Sequence, residues 1–191
     1  MRRTKTEALQ TRETVLQAAA QVLMRHGVSG FTIEAVAQEA HVTKGGVLHH
    51  FPSKVELVLG LIAQVIDGFQ VRVTAEMESE PADQPGRWLR AYIRAVFSAD
   101  FESASLLPAV VAVAAADPQV LAVIRRRFEE SQQAATHDGI DPIQATMIRL
   151  AVDGMAFTRA FGVDALDRDA SRSARDELLS LTHRPGALQH R

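Results

Sequence analysis

Twenty residues, Thr32 to Phe51 (TIEAVAQEAHVTKGGVLHHF), constrain this chain more than any other stretch. Thr32 is suited to capping a helix, because its hydroxyl accepts from a free backbone N–H of the turn that follows. Ile33, Val36, Ala37 and Ala40 then fall at i, i+3, i+4 and i+7, one apolar face of a short helix. His41 and Val42 break the pattern, and Thr43 is a second cap. Lys44 to His50 make about two further turns. Little in them needs burying: Val47 and Leu48, with Val42 and Phe51 at the ends. The opposite side offers Thr43, Lys44, Gly45, Gly46, His49 and His50. Two helices across a tight turn, the second short and polar-faced, make a helix-turn-helix. The second helix of that motif enters the major groove of DNA while the first crosses the backbone. Glycine inside a helix costs about 1 kcal/mol relative to alanine. Two in succession either soften a surface turn or let the backbone come close to bases and phosphates.

The segments Gly30-Phe31-Thr32-Ile33, Val36-Ala37 and Val42-Thr43-Lys44-Gly45-Gly46-Val47-Leu48-His49-His50-Phe51-Pro52-Ser53-Lys54 resemble the DNA-binding domain of TetR-family transcriptional regulators. The resemblance implies a DNA-binding domain over residues 9–69, with the helix-turn-helix at 32–51. It implies a helical effector-binding and dimerisation domain over residues 70–191. Lys44, Gly45 and Gly46 are then expected to read bases, and Thr32, Thr43, His49, His50 and Lys54 to hold phosphates. Arg2, Arg3 and Lys5 are either an arm making further phosphate contacts or a solvated terminus.

Charge agrees with this division without requiring it. The net charge is −2, yet the first sixty residues carry seven Lys/Arg against five Asp/Glu and four of the seven histidines. Cysteine is absent, which excludes disulfides and thiolate zinc sites and suits a reducing cytoplasm. No apolar run reads as long and uncharged enough to span a bilayer, and the basic N-terminus lacks a following apolar stretch. The expected chain is cytoplasmic, with no membrane partner.

The periodicity is helical throughout, and no strand alternation is found, so the expected class is all-α. Leu9 to His26 reads as a helix stopped by Gly27. Ser53 and Glu56 form a capping box for a helix running to about Glu76. Ser79 to Gly86 is a polar loop, and Trp88, Leu89, Tyr92, Ile93, Val96 and Phe97 form an amphipathic helix. Leu106 to Ala116 is almost wholly apolar and reads as buried. Asp117-Pro118 and Asp141-Pro142 each open a helix. Ile143 to Phe161 is apolar nearly all round, so it needs two faces covered. A last helix spans Asp169 to Leu181.

The second half holds no nucleophile with an organised base, no phosphate loop and no metal-ligand spacing, so neither an enzyme nor a cofactor is expected. His137 and Asp138 are loop neighbours without fixed convergence. An effector pocket is expected among Phe69, Trp88, Tyr92, Phe97, Phe128, Met147, Met155 and Phe157, each of which serves equally well in plain core packing. Asp153, an acid in an apolar helix, either binds a cationic ligand or pairs with Arg149 or Arg159. The family resemblance implies a homodimer, and the helices Ile143–Phe161 and Asp169–Leu181 are expected to carry it. The expected function is a transcriptional regulator released from a palindromic operator by a small apolar or aromatic effector. Repression is the family's usual outcome. A constitutive dimeric regulator without a pocket is the alternative, and an activator a more remote one.

Overall fold

The structure is a computed structural model that describes residues 5–98 and 106–183. The basic positions Arg2 and Arg3 and the tail beyond His183 lie outside the described residues. Among the described residues there are nine helices and no strand. They are α1 (Lys5–Gly30), α2 (Ile33–Glu39), α3 (Lys44–His50), α4 (Lys54–Glu78), α5 (Arg87–Phe97), α6 (Leu107–Ala116), α7 (Pro118–Thr136), α8 (Pro142–Ala160) and α9 (Arg168–Leu181). The all-α class is the one the periodicity predicts.

Local chemistry sets most of the starts. Thr32 Oγ1 accepts from the Ala35 N–H (3.1 Å), Thr43 Oγ1 from Gly46 (3.0 Å) and Ser53 Oγ from Glu56 (3.1 Å). Asp117 accepts from Gln119 (2.9 Å) and Asp141 from Gln144 (2.8 Å). Each satisfies a donor that has no partner inside its own helix. Gly27 interrupts α1 with φ 63° and ψ −170°, a left-handed conformation that glycine adopts without a side-chain clash. The expected stop is therefore a kink, after which the chain stays helical to Gly30.

The described residues form two compact units. The first runs through Ile66 and includes α6 and the start of α7 through Val123. Its core is apolar: Val15, Leu16, Ala19, Val22, Leu23, Phe31, Val36, Ala37, Val47, Phe51, Leu57, Val58, Leu61 and Ile62 are buried. Gly60 sits where a Cβ would lie 2.7 Å from Phe51 Cε1 and 3.1 Å from Leu16 Cδ2. The bare backbone of α4 thus packs directly on that core.

The resemblance places α6 within the 70–191 domain, and by contact α6 packs against α1 and groups with the first unit. Nor is α6 buried all round. Leu106 is buried, but Val111 is 37% exposed, because only one side of this uniformly apolar helix meets α1. The second unit holds residues from Asp67 to Ser98 and from Ile124 to His183. Val73, Leu89, Ala91, Tyr92, Ile93, Val96, Ala135, Ala145, Ile148 and Val152 form its core.

One expectation needs correcting. By length and composition α4 is apolar enough to cross a membrane. The capping residues that flag its start give no hint of this. Its apolar residues have another use in this fold: Leu57, Val58, Leu61 and Ile62 are buried in the first unit and Val73 in the second.

Candidate nucleic-acid interface and effector site

Helices α2 and α3 stand on one apolar base and share one polar outer surface. Val36, Ala37 and Val47 are buried, while Thr32, Thr43, Lys44, Gly45 and His49 are exposed and Gly46 and His50 half-buried. The space around the glycines is informative. A Cβ on Gly45 would meet nothing nearer than Thr43 Oγ1 at 3.9 Å, and one on Gly46 would sit 3.4 Å from the same atom. Neither glycine is demanded by internal packing.

The two lysines are held differently. Lys44 Nζ pairs with Glu34 Oε1 at 2.6 Å across the start of α2. The hydrogen bond from Lys44, with a further backbone bond and the lysine's charge, holds the Glu34 carboxyl below the usual carboxylate range. Lys54 sits on the other side of the motif. Its ammonium lies 3.5 Å from the Val28 carbonyl and over the Phe31 ring, 5.5 Å from the centroid. Sequence reasoning assigned Lys54 to a phosphate. In the structure its ammonium also ties α4 to the turn after Gly27. Arg12, over the Phe51 ring at 5.0 Å, and Arg25, paired with Glu39 at 3.1 Å, complete the cations named by these contacts.

In the second unit the structure gathers some of the expected effector residues and disperses others. Tyr92 is the hub. Trp88 stacks on it (centroids 4.9 Å apart) and Phe69 meets it edge-on (5.4 Å). Its hydroxyl donates to Asp153 at 2.5 Å. The other oxygen of Asp153 takes a bond from Arg149, also 2.5 Å. Arg149 donates onward to Gln132 (2.7 Å), and Gln132 to Thr146 (2.7 Å). Burial raises the Asp153 pKa against the opposing pull of Tyr92 and Arg149. Burial and the Asp153 charge push the Tyr92 hydroxyl far above its ordinary value. Arg159 takes no part: it lies over Phe97 (5.2 Å) and donates to Ser171 (3.3 Å).

Phe97 and Met155 are half-buried, whereas Phe128, Met147 and Phe157 are 53%, 67% and 45% exposed and stand apart from the Tyr92 group. A cleft of about 620 Å³ opens at the start of α9, lined by Phe97, Arg159, Leu166, Arg168, Arg172 and Arg175 among others. Of the expected effector residues it includes only Phe97.

Sequence reasoning missed the polar groups that fix this unit. Asp138 accepts from the backbone N–H groups of Trp88 (2.9 Å) and Leu89 (2.8 Å), so it caps α5 from a distant loop. Burial raises its pKa, opposed by those two bonds. Glu80 takes Arg90 (2.8 Å) and Arg94 together. Burial alone would push Glu80 up, but its bonds to Arg90 and Arg94 and their charges win and hold it low. The one available signal was indirect: two arginines four residues apart on an amphipathic helix, beside an acidic loop.

Two family domains match the chain, and the second of them includes α6 and the start of α7, which belong to the first unit by contact. Residues 15–61 match the bacterial regulatory proteins of the tetR family, and residues 86–183 match the tetracyclin repressor-like C-terminal domain. The HTH-type transcriptional repressor BepR of Brucella suis biovar 1 (strain 1330) is 42% identical over 64 residues, 34% of this chain and 31% of that protein. The HTH-type transcriptional regulator CymR of Pseudomonas putida is 31% identical over 133 residues, 69% of this chain and 64% of that protein. The chain thus spans less than two thirds of the length of either relative. Among solved structures, a transcriptional regulator from Rhodococcus sp. Rha1 superposes with a TM-score of 0.74 at 22% identity, covering 90% of this chain and 95% of that one. The multidrug binding protein EbrR, complexed with malachite green, gives 0.64 at 24% identity over 89% and 96%. The two matched domains, in this order and over these helices, make the chain a member of the TetR family of transcriptional regulators.

Proposed function

We propose that this protein is a dimeric repressor that binds a pseudo-palindromic operator in double-stranded DNA and releases it when a small apolar or aromatic effector binds. The observation that carries this reading is the polar outer face of α3, where successive glycines have open space and no internal packing role. Glycine gives up helix propensity relative to alanine, and two in succession on an exposed polar face leave room for bases and phosphates to come close. Lys44 with Gly45 and Gly46 reads base edges. Thr32, Thr43, His49, His50 and Lys54 hold phosphates.

Dimerisation is supported by one face of α8. Ile143, Met147, Leu150, Phe157 and Phe161 repeat at helical spacing and are all more than a third exposed in the single chain. The opposite face, through Ala145, Ile148 and Val152, is buried in the unit's own core. A second copy meeting that outer face, with α9 alongside, makes a four-helix bundle. Two-fold symmetry then spaces two α3 helices roughly 34–36 Å apart. Effector binding is supported by the aromatic group at Tyr92, with Asp153 as its polar anchor, and by EbrR, a neighbour in fold that binds malachite green. Repression is supported by BepR, a relative that is a repressor. The effector acts by its differential affinity for two arrangements of the dimer. The cytoplasm, where the DNA is, is the matching compartment.

Selection of the purified protein against a random duplex library tests the reading. A two-fold symmetric winner whose affinity falls steeply with salt is expected. In that site Lys44→Ala relaxes base preference at one position per half-site, and Lys54→Ala weakens all sequences alike. A protein with no preference above bulk DNA, with or without candidate aromatic effectors, would sink it.

A further inference from the structure

The DNA-facing surface carries one feature that its proposed function does not ask for: a carboxylate. Glu34 sits in the first turn of α2, where a negative charge suits the helix dipole. It reaches across to Lys44, the first residue of α3, where a positive charge opposes the dipole. The two are joined at 2.6 Å although both side chains are more than half exposed. As a contribution to folding, a pair this exposed is worth little. Its position matters more, because Lys44 is the only long cationic side chain on α3.

We propose that Glu34 is a positioning residue for DNA reading: its carboxylate aims the Lys44 ammonium at a base edge and disfavours DNA of the wrong sequence. This rests on the reading of α3 as the recognition helix. The chemistry is simple. A lysine ammonium has three donors and a flexible stem with several rotamers. Alone, it satisfies itself on whichever phosphate oxygen is nearest, and that contact carries no sequence information. With one donor held by Glu34, the stem is fixed, and two donors remain for a pair of acceptors such as guanine O6 and N7. The same carboxylate, standing near the phosphates, repels any duplex that offers no compensating base contact. Glu34 thus gives up some total affinity and gains discrimination.

The experiment compares wild type, Glu34→Gln, Lys44→Ala and the double variant on the selected operator, on that operator changed at each base pair, and on bulk duplex. All four are first checked by thermal melting, which this exposed site should leave nearly unchanged. In Glu34→Gln, affinity for bulk DNA is expected to rise severalfold. Preference at the Lys44-dependent base pair should fall by about an order of magnitude. In the Lys44→Ala background, Glu34→Gln should cause no further loss at that base pair. Unchanged base preference in Glu34→Gln overturns the proposal. So does a loss of preference at a different base pair, which would mean that Glu34 itself reads a base. A wild type that selects no site is a different failure, one that removes the recognition-helix reading and this inference with it.

Discussion

In the first unit the ion pairs lie at the surface: Arg25–Glu39 and Lys44–Glu34 join side chains that are between 29% and 62% exposed. The second unit has exposed pairs too, such as Arg126–Glu130 and Arg172–Asp169, but it also holds pairs that lie inside. Arg90 is 1% exposed and Glu80 9%, and Arg149 and Asp153 are 7% and 17%. Surface charges add little to folding and stay available to a partner. Buried charges are committed: removing one leaves the other without water or counterion. The first unit is therefore held by apolar packing and keeps its charges for what lies outside. The second, beside its exposed pairs, commits Arg90, Glu80, Arg149 and Asp153 to holding α5, α8 and the loops in one arrangement.

The sharpest test of this contrast is Arg90→Met. It strands Glu80 with Arg94 alone and unpairs the Pro85 carbonyl, which Arg90 now binds at 2.8 Å. A loss of about 3–5 kcal/mol is expected in denaturant unfolding followed by circular dichroism. Arg25→Met, its counterpart in the first unit, should cost less than about 1 kcal/mol. Equal losses would break the comparison.

Next in size is Gly60→Ala. Its methyl would press on Phe51 and Leu16 in a core without polar groups to yield, at a cost of about 1–3 kcal/mol in the same assay. A neutral result would mean that the apolar packing of the first unit is looser than these distances imply.

These two sites show what was legible in the sequence. The capping threonines, Ser53, Asp117 and Asp141 were all readable, because a cap and the donor it satisfies lie two or three residues apart. The apolar faces of α1 and α2 were readable for the same reason, as was the all-α class. Glu80 with Arg90 and Arg94, and Asp138 with Trp88 and Leu89, were not. Asp138 is about fifty residues from the N–H groups it caps, and in sequence it is only a loop acid beside His137. Exposure on α8 was half legible: uniform apolarity said that two faces need cover, but not which side Met147 and Phe157 take. On the proposed DNA interface the residue types were legible while their internal partners, Glu34 for Lys44 and Val28 for Lys54, needed coordinates.

Asp138 gives a smaller effect with a definite pH dependence. Asp138→Ala removes the cap of α5 and should cost about 0.5–2 kcal/mol. Against Asp138→Asn, the sign follows from the raised folded-state pKa. Folding then favours the protonated acid. The wild-type advantage over Asn is fully present below the unfolded carboxyl pKa and declines as pH rises through the folded value. Stability curves of the two proteins from acid to neutral pH measure this. A wild-type advantage that grows with pH would mean that the two backbone bonds, not burial, govern Asp138.

The smallest expected change in stability is a gain, and it returns to the surface of the first unit. Gly45 and Gly60 are both helical glycines, yet only Gly60 is required by neighbouring atoms. At Gly45 the helix would accept a methyl with Thr43 Oγ1 still 3.9 Å away. Alanine there should stabilise the protein by at most about 1 kcal/mol, since it restores helix propensity in the first turn of α3 without a clash. If the glycine exists to let DNA come close, the same methyl must stand between α3 and the groove, and operator affinity must fall as the melting temperature rises. Opposite signs in those two measurements are what a reading surface predicts. A Gly45→Ala protein that is more stable and binds its operator equally well would reduce the glycine pair to a soft turn, and base recognition would have to come from side chains alone.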